Sequence, residues 1–225
     1  NKLADPVFFL AGGPGQSAMA LAPTLLAMHP RLHNRRDLVF VDQRGTGRSA
    51  SLDCGQPEHD DLAGQTSPAL QAAEFARCRR ELVGRPHVPN AAALGFYTTT
   101  IAVGDLDAVR AALGAERVNV IGGSYGTRVG LEWLRLHPDR VRRAVLDGVA
   151  PPDMVLPAAF SSDNQAAFDA LLAGCTAEPA CRARHPDLER RWRALLGALP
   201  KTVEATHPLT GRLERFELTR DMVLG

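Results

Sequence analysis

Residues 119–130 read NVIGGSYGTRVG, in which one serine stands between glycines, after an apolar run and before a segment with helical spacing. Gly122 to Gly126 fit the pattern G-x-S-x-G. In a nucleophile elbow the serine occupies a strained strand-to-helix turn, and small residues two positions away let the backbone close. The helix N-terminus favours negative charge developing on a substrate oxygen. Ser124 is therefore a candidate nucleophile, and the alternative is a glycine-rich turn with an ordinary serine N-cap.

Apolar runs on either side of this stretch predict a parallel sheet. They are short, rich in β-branched residues and apolar on both faces, as buried parallel strands are. The four predicted strands cover residues 6–13, 37–45, 117–124 and 142–149. Helical patterns over 99–113 and 126–137 lie between the later strands. The alternation predicts an α/β fold, with a mostly parallel sheet and helices on both faces.

The strand–helix rhythm fades after the sequence APPD at residues 150–153. The later patterns predict helices over 157–175 and 187–199 and a hairpin over 201–218 with HPLTG at its turn. A further helix is expected over 69–83. We therefore expect two regions, 1–150 and 151–225. The abrupt first and last segments lead us to expect that the chain is part of a longer protein.

A second glycine-rich stretch, AGGPGQS at residues 11–17, follows the first predicted strand. Acyl transfer on this kind of site needs two backbone N–H donors. One comes from the residue after the nucleophile, here Tyr125, and one from a loop after an earlier strand, here Gly13 or Gly12. A phosphate-binding loop is disfavoured, because G-x-x-x-x-G-K-[ST] is absent and Pro14 removes a donor.

The sequence VDQRGTGRS at residues 41–49 ends the second predicted strand. Asp42 and Arg44 can pair there and hold their loop beside the glycine-rich turn. We expect a structural role for both residues.

Four motifs occur together in one order, and as a set they span about residues 5–153. They are GGPGQS (12–17), DQRGTGRS (42–49), GGSYGT (122–127) and LDGVAPP (146–152). The set resembles the proline iminopeptidase and tripeptidyl aminopeptidase group of α/β-hydrolases. That group usually has histidine before Gly-Gly-Pro-Gly. Ala11 stands there in this chain, which resembles the secreted tripeptidyl aminopeptidase branch.

The resemblance implies a serine exopeptidase that acts through an acyl-enzyme on peptides with a free N-terminus. It makes Ser124 the nucleophile, Tyr125 and Gly13 (or Gly12) the oxyanion-hole donors, and residues from 151 onward the start of a helical cap. It implies no metal and no organic cofactor. An acid must hold the substrate amine, and the candidates in the cap region are Asp163, Glu178 and Glu204.

A serine nucleophile needs an adjacent base, and in this fold the chain order is Ser, then Asp or Glu, then His. After Ser124, the candidate acid is Asp147, and the candidate histidines are His137, His185 and His207. We expect Asp147 to be structural and the three histidines to be ordinary surface or loop residues. The acid and the histidine of the triad are then expected beyond Gly225. An isolated chain of 225 residues would accordingly have little or no activity.

The chain has four cysteines, Cys54, Cys78, Cys175 and Cys181. The local pairing joins Cys54 to Cys78 and Cys175 to Cys181, and disulfides would imply an oxidising, extracytoplasmic compartment. Zinc binding is disfavoured because no CxxC pair or HxxxH spacing occurs. Four reduced thiols in a cytoplasmic protein are the remaining alternative.

The composition is that of an ordinary globular protein, with 45% hydrophobic residues and a net charge of +1. This charge gives no reason to expect nucleic acid or an anionic membrane as partner. No apolar run approaches the ~20 residues that span a bilayer. Two other functions stay open, an esterase or lipase-like hydrolase on the same fold and a non-catalytic binding module. The sequence gives no indication of the oligomeric state.

Overall fold

The computed structural model describes residues 2–55, 62, 64, 67–155 and 158–224. The chain divides into two compact units. The first contains residues 1–55 and 80–154, and the second contains residues 56–79 and 155–225.

A four-stranded parallel sheet forms the centre of the first unit. The strands are β1 (Val7–Leu10), β2 (Leu38–Phe40), β3 (Val118–Gly123) and β4 (Val141–Asp147), in the spatial order β2-β1-β3-β4. Phe8 pairs with Val39 on one side and with Val120 on the other, and Gly123 pairs with Asp147. The parallel sheet predicted from the sequence is confirmed.

Helices follow or precede each strand of this sheet. They are α1 (Ala18–Met28), α2 (Pro68–Leu82), α3 (Thr99–Ala112) and α4 (Tyr125–Leu136). Short 3₁₀ turns occupy Leu32–Asn34, Ala91–Phe96 and Pro138–Arg140. The helix predicted over 126–137 begins directly after Ser124, and the helix predicted over 99–113 is α3.

The core of the first unit lies where α3 and α4 cover one face of the sheet. Phe8 in β1 meets the buried Trp133 of α4 edge to face, with ring centroids 5.3 Å apart, and Leu106 of α3 completes the cluster. Neighbouring residues of a strand point to opposite faces. Phe9 accordingly stacks on Phe40 on the other face, with ring centroids 4.8 Å apart. His29, at the end of α1, lies near Phe9, with ring centroids 6.3 Å apart.

Two strands depart from the prediction of complete burial, since β2 is only partly buried and most of β4 is exposed. β4 is paired only with β3 among the described strands, and its residues from Arg142 to Val145 are exposed. Val145 retains 58% of its accessible surface. The apolar composition of 142–149 is typical of a buried strand, but burial depends on which elements cover a strand and not on its composition alone.

Besides the first part of α2, residues 68–79, the described part of the second unit contains three helices, a hairpin and a terminal helical turn. These are α5 (Ala158–Ala177), α6 (Pro179–Arg184), α7 (Leu188–Gly197), β5 (Lys201–Thr206), β6 (Leu213–Leu218) and α8 (Arg220–Leu224). Phe168 of α5 packs against Trp192 of α7, with ring centroids 4.9 Å apart. Residue 157 of the predicted helix lies outside the described residues. Within the described ranges, no helix has the length and apolar character needed to cross a membrane.

All four cysteines are in disulfide bonds. Cys175, near the end of α5, bonds to Cys181 in α6, which is the expected local pairing. Cys54 and Cys78 are also disulfide-bonded. The alternative of four reduced thiols is therefore wrong for this structure.

Candidate active site

Ser124 occupies a turn that L-residues rarely adopt. Its φ is 53° and its ψ is −122°, and its side chain makes no capping hydrogen bond to α4. Ser17, by contrast, has φ −76° and accepts the N–H of Ala20 as an ordinary N-cap of α1. Backbone strain of this type costs about 1–3 kcal/mol and persists only where surrounding structure imposes it. Ser124 therefore stands at the N-cap position of α4 without the side-chain hydrogen bond that an ordinary serine N-cap makes.

Two glycines make this turn sterically possible. A Cβ on Gly126 would overlap the carbonyl oxygen of Leu10, and a Cβ on Gly122 would overlap the carbonyl of Gly126. Gly123 has open space around the corresponding position. The glycines two positions before and after Ser124 are thus required for close backbone approach, whereas the glycine directly before it is not.

Hydrogen bonds to β4 and the residues after it hold the turn in place. The N–H of Ser124 donates to the carbonyl of Asp147 at 2.9 Å. The hydroxyl of the fully buried Thr127 donates to the Ser124 carbonyl at 2.6 Å and accepts the N–H of Ala150 at 2.9 Å. Arg128 donates to the carbonyl of Pro151 at 2.7 Å. Hydrogen bonds therefore fix the backbone of the strained Ser124 at both its N–H and its carbonyl group.

The glycine-rich loop after β1 lies directly beside Ser124. A Cβ placed on Gly12 would be 3.5 Å from the Cβ of Ser124. Gly13 and Gly15 have φ values of +105° and +104°, which turn the loop back on itself. Tyr125 is the first residue of α4, where backbone N–H groups have no partner within the helix. The structure thus brings Gly12 of this loop into contact with Ser124.

Asp42 anchors the loop that follows β2. It is 5% exposed and accepts hydrogen bonds from the Ser17 hydroxyl at 2.7 Å and from the Arg48 N–H at 3.0 Å. Burial alone would raise the pKa of Asp42, but the hydrogen bonds from Arg48, Ser17 and Met19 outweigh it and leave the pKa below its ordinary value.

The expected pair between Asp42 and Arg44 is not formed. Arg44 instead binds Asp105 of α3 through two hydrogen bonds, both at 2.6 Å. Asp42 is already occupied by backbone and hydroxyl donors. The paired carboxylate is therefore 61 residues away along the chain, and short-range spacing could not identify it.

We expect Asp42→Asn to lower the free energy of unfolding by about 2 kcal/mol at pH 7, because a buried acceptor of several hydrogen bonds is weakened. The folded-state pKa lies below the unfolded one, so the ionised group stabilises the fold above about pH 4 and loses this effect as pH falls. Urea unfolding at several pH values measures both effects. The exposed Asp139→Asn serves as the control, and equal pH profiles for Asp42→Asn and wild type would contradict the assignment.

A pocket of about 390 Å³ opens at the elbow. The residues that line it are Phe9, Leu10, Ala11, Gly12, Gln16, Ala18, Leu21, Leu25, Ile121, Gly122, Gly123, Ser124, Asp147 and Gly148. This lining of described residues contains no histidine. Asp147 is the acid in it, and its main-chain carbonyl holds the N–H of Ser124. The pocket therefore joins the candidate nucleophile and the glycine-rich loop, and Asp147 is the one ionisable side chain among its described lining residues.

The three histidines that follow Ser124 occupy structural positions. His137 ends α4, about 20 Å along the helix from Ser124, and its N–H donates to the Trp133 carbonyl. His185 ends α6 in the second unit. His207 lies in the hairpin turn as expected, but it is buried rather than at the surface. Its Nδ1 accepts two backbone N–H groups of the turn, one at 3.2 Å and one at 3.1 Å.

The three acids considered for the substrate amine differ in their local roles. Glu178 accepts the Cys181 N–H as the N-cap of α6, so its carboxylate is already engaged. Asp163 in α5 and Glu204 in β5 are exposed. All three belong to the second unit.

Sequence reasoning missed two side chains that shape this site. Thr127 links the elbow to the residues after β4, and Gln16 accepts the N–H of Gly12 at 3.2 Å. The spacing of Gln16 four residues after Gly12, across two glycines, was an available signal. Thr127 was a weaker signal in the sequence, since a hydroxyl three residues after a turn residue often donates to the carbonyl of that turn residue.

A parallel sheet with a strained serine between β3 and α4 defines an α/β-hydrolase type of protein. The family model described as alpha/beta hydrolase fold matches residues 5–222, and the chain belongs to this family. It is 34% identical over 149 residues to a tripeptidyl aminopeptidase of Streptomyces coelicolor, covering 63% of this chain and 27% of that protein. It is 30% identical over 213 residues to serine protease Hip1 of Mycobacterium bovis, covering 90% of this chain and 38% of that protein.

Among solved structures, an epoxide hydrolase mutant of Vigna radiata aligns with a TM-score of 0.42 and 21% identity. The alignment covers 69% of this chain and 36% of that one. The chain thus spans well under half the length of these relatives.

Proposed function

We propose that the chain is the nucleophile-bearing part of a serine peptidase that removes residues from peptide N-termini. The observation that carries the proposal is the strained, uncapped Ser124 beside the glycine-rich loop. The printed names of two relatives, a tripeptidyl aminopeptidase and a serine protease, support a peptide as substrate. We also propose that residues 151–225 are the beginning of a cap region.

In the proposed mechanism the Oγ of Ser124 attacks the carbonyl carbon of the scissile amide. Its proton passes to a histidine base, which then protonates the departing amine as the acyl-enzyme forms. Water, deprotonated by the same base, releases the acyl group and restores the serine. The N–H groups of Tyr125 and Gly13 would stabilise the oxyanion at each tetrahedral stage. We propose that the histidine and its acid lie outside residues 1–225. The chain order of this fold, serine before acid before histidine, supports this placement, as does a described pocket lining without histidine.

We also propose an extracytoplasmic location. The Cys175–Cys181 bond and the bonded state of Cys54 and Cys78 support it, because disulfides persist in oxidising compartments. The substrate amine would be held by an acid of the second unit. Asp163 and Glu204 suit this role better than Glu178, which caps α6.

We expect the 225-residue chain to hydrolyse a tripeptidyl or aminoacyl chromogenic amide at least about 10³-fold more slowly than a version extended through the next strands, because an unassisted serine is a poor nucleophile. Initial rates at equal concentrations measure the difference, with Ser124→Ala of the extended version as the baseline. Equal turnover by both forms would overturn the placement of the base outside this chain.

Two measurements on the extended version separate the other candidate functions. An esterase or lipase-like enzyme would turn over a simple ester and leave the peptide amide intact. A non-catalytic binding module would leave Ser124 unlabelled by a fluorophosphonate, whereas an activated serine would react.

A further inference from the structure

The side chain of Gln16 reaches the elbow, although the proposed mechanism gives it no part. Its carbonyl Oε1 accepts the N–H of Gly12 at 3.2 Å. A Cβ placed on Gly12 would lie 3.3 Å from this oxygen and 3.5 Å from the Cβ of Ser124. Gly12 therefore lies between the Gln16 carboxamide and the candidate nucleophile.

The local fold explains how a residue four positions later returns to Gly12. The positive φ values of Gly13 and Gly15 reverse the chain within the loop. Ser17, the next residue after Gln16, is fixed by donating to Asp42 at 2.7 Å and by capping α1. The backbone of Gln16 is thus held in place by its neighbour Ser17, although the side chain of Gln16 is exposed.

We infer that Gln16 is a positioning residue that selects which N–H of the glycine-rich loop serves the oxyanion. A backbone N–H that already donates to a carboxamide oxygen is not free for a substrate oxygen. The hydrogen bond from the Gly12 N–H closes the loop into a small ring. The N–H of Gly13 is then the donor that the loop offers to the oxyanion. Oxyanion stabilisation requires donors held in place before the charge develops. The inference rests on the proposed function, because only acyl transfer needs such a donor.

The hydrogen bond itself is tested by NMR on the 225-residue chain, and this test requires no catalytic activity. Gln16→Met keeps the side-chain length and removes the oxygen, whereas Gln16→Glu keeps an acceptor at the same reach. In ¹H–¹⁵N spectra we expect the Gly12 amide of Gln16→Met to shift upfield and to exchange with solvent about tenfold faster. The Gly12 amide of Gln16→Glu should retain its slow exchange. An unchanged Gly12 amide in Gln16→Met would overturn the inference.

The effect on catalysis is tested in the extended, active version. We expect Gln16→Met to lower kcat about tenfold at unchanged KM, because a misplaced donor weakens binding of the transition state alone. Gln165→Met is the matched control, since Gln165 bonds to Asp169 on the exposed surface of α5. Unaltered kcat together with a lost Gly12 hydrogen bond would show that the contact is only structural and would overturn the positioning role.

Failure of the proposed function gives a different result. In that case wild-type Ser124 of the extended version does not react with a fluorophosphonate, while the Gly12 amide still reports on Gln16. A positioning role for Gln16 in oxyanion binding is then also rejected, on the labelling result and not on the spectra.

Discussion

Replacement of Ser124 by glycine is expected to abolish hydrolysis in the extended version and at the same time to stabilise the fold. Loss of the nucleophile should lower kcat by about 10⁶-fold, as removal of the triad serine does in subtilisin. The φ of 53° and ψ of −122° are strained for serine and accessible to glycine. We therefore expect Ser124→Gly to exceed Ser124→Ala in free energy of unfolding by about 1 kcal/mol.

The stability effect is measured by urea unfolding of the 225-residue chain, followed by fluorescence of Trp133 in a Trp192→Phe background. Trp133 is fully buried in the first unit, and these are the two tryptophans of the chain. Ser17→Gly is the matched control. Ser17 has an ordinary negative φ and caps α1, so the same substitution there should destabilise. Equal stability of Ser124→Gly and Ser124→Ala would show that the turn is unstrained.

The second large effect is expected at Gly126. Alanine there would bring a Cβ into the carbonyl of Leu10, a backbone atom of the central strand that cannot rotate away. The start of α4 would have to move off β1, and we expect a loss of about 3 kcal/mol in the free energy of unfolding. The same urea unfolding assay, read as a change of midpoint at constant slope, measures this loss.

The control for this substitution lies in the same motif. Gly123 has open space at its Cβ position and a φ outside the left-handed region, so Gly123→Ala should change stability by no more than about 0.5 kcal/mol. A similar cost for Gly123→Ala and Gly126→Ala would contradict the steric explanation. It would indicate instead that any side chain in this motif disturbs the turn.

Much of the first unit followed from local sequence patterns. The apolar runs around Phe8 and Val120 and the helical spacing after Ser124 predicted the strand–helix alternation, and the structure has it. Such patterns succeed because the side-chain periods of strands and helices differ. The strand-to-helix turn at Ser124 was predictable for the same reason, since G-x-S-x-G stood at a change of period.

Contacts between distant parts of the chain were not predictable in this way. Arg44 pairs with Asp105 and not with the nearby Asp42, and the exposure of β4 depends on which elements lie beside it. The bond from Gly12 to Gln16 depends on the reversal of the loop at Gly13 and Gly15.

The sequence by itself determined the order of strands and helices and the position of one serine between them, because periodicity and small residues act over a few neighbours. Only the tertiary structure decided which glycines are indispensable. Gly126 is confined by the carbonyl of Leu10, which lies 116 residues earlier and is brought there by the pairing of β1 with β3. Close approach of two backbone segments is a property of the packed sheet, and no local pattern contains it.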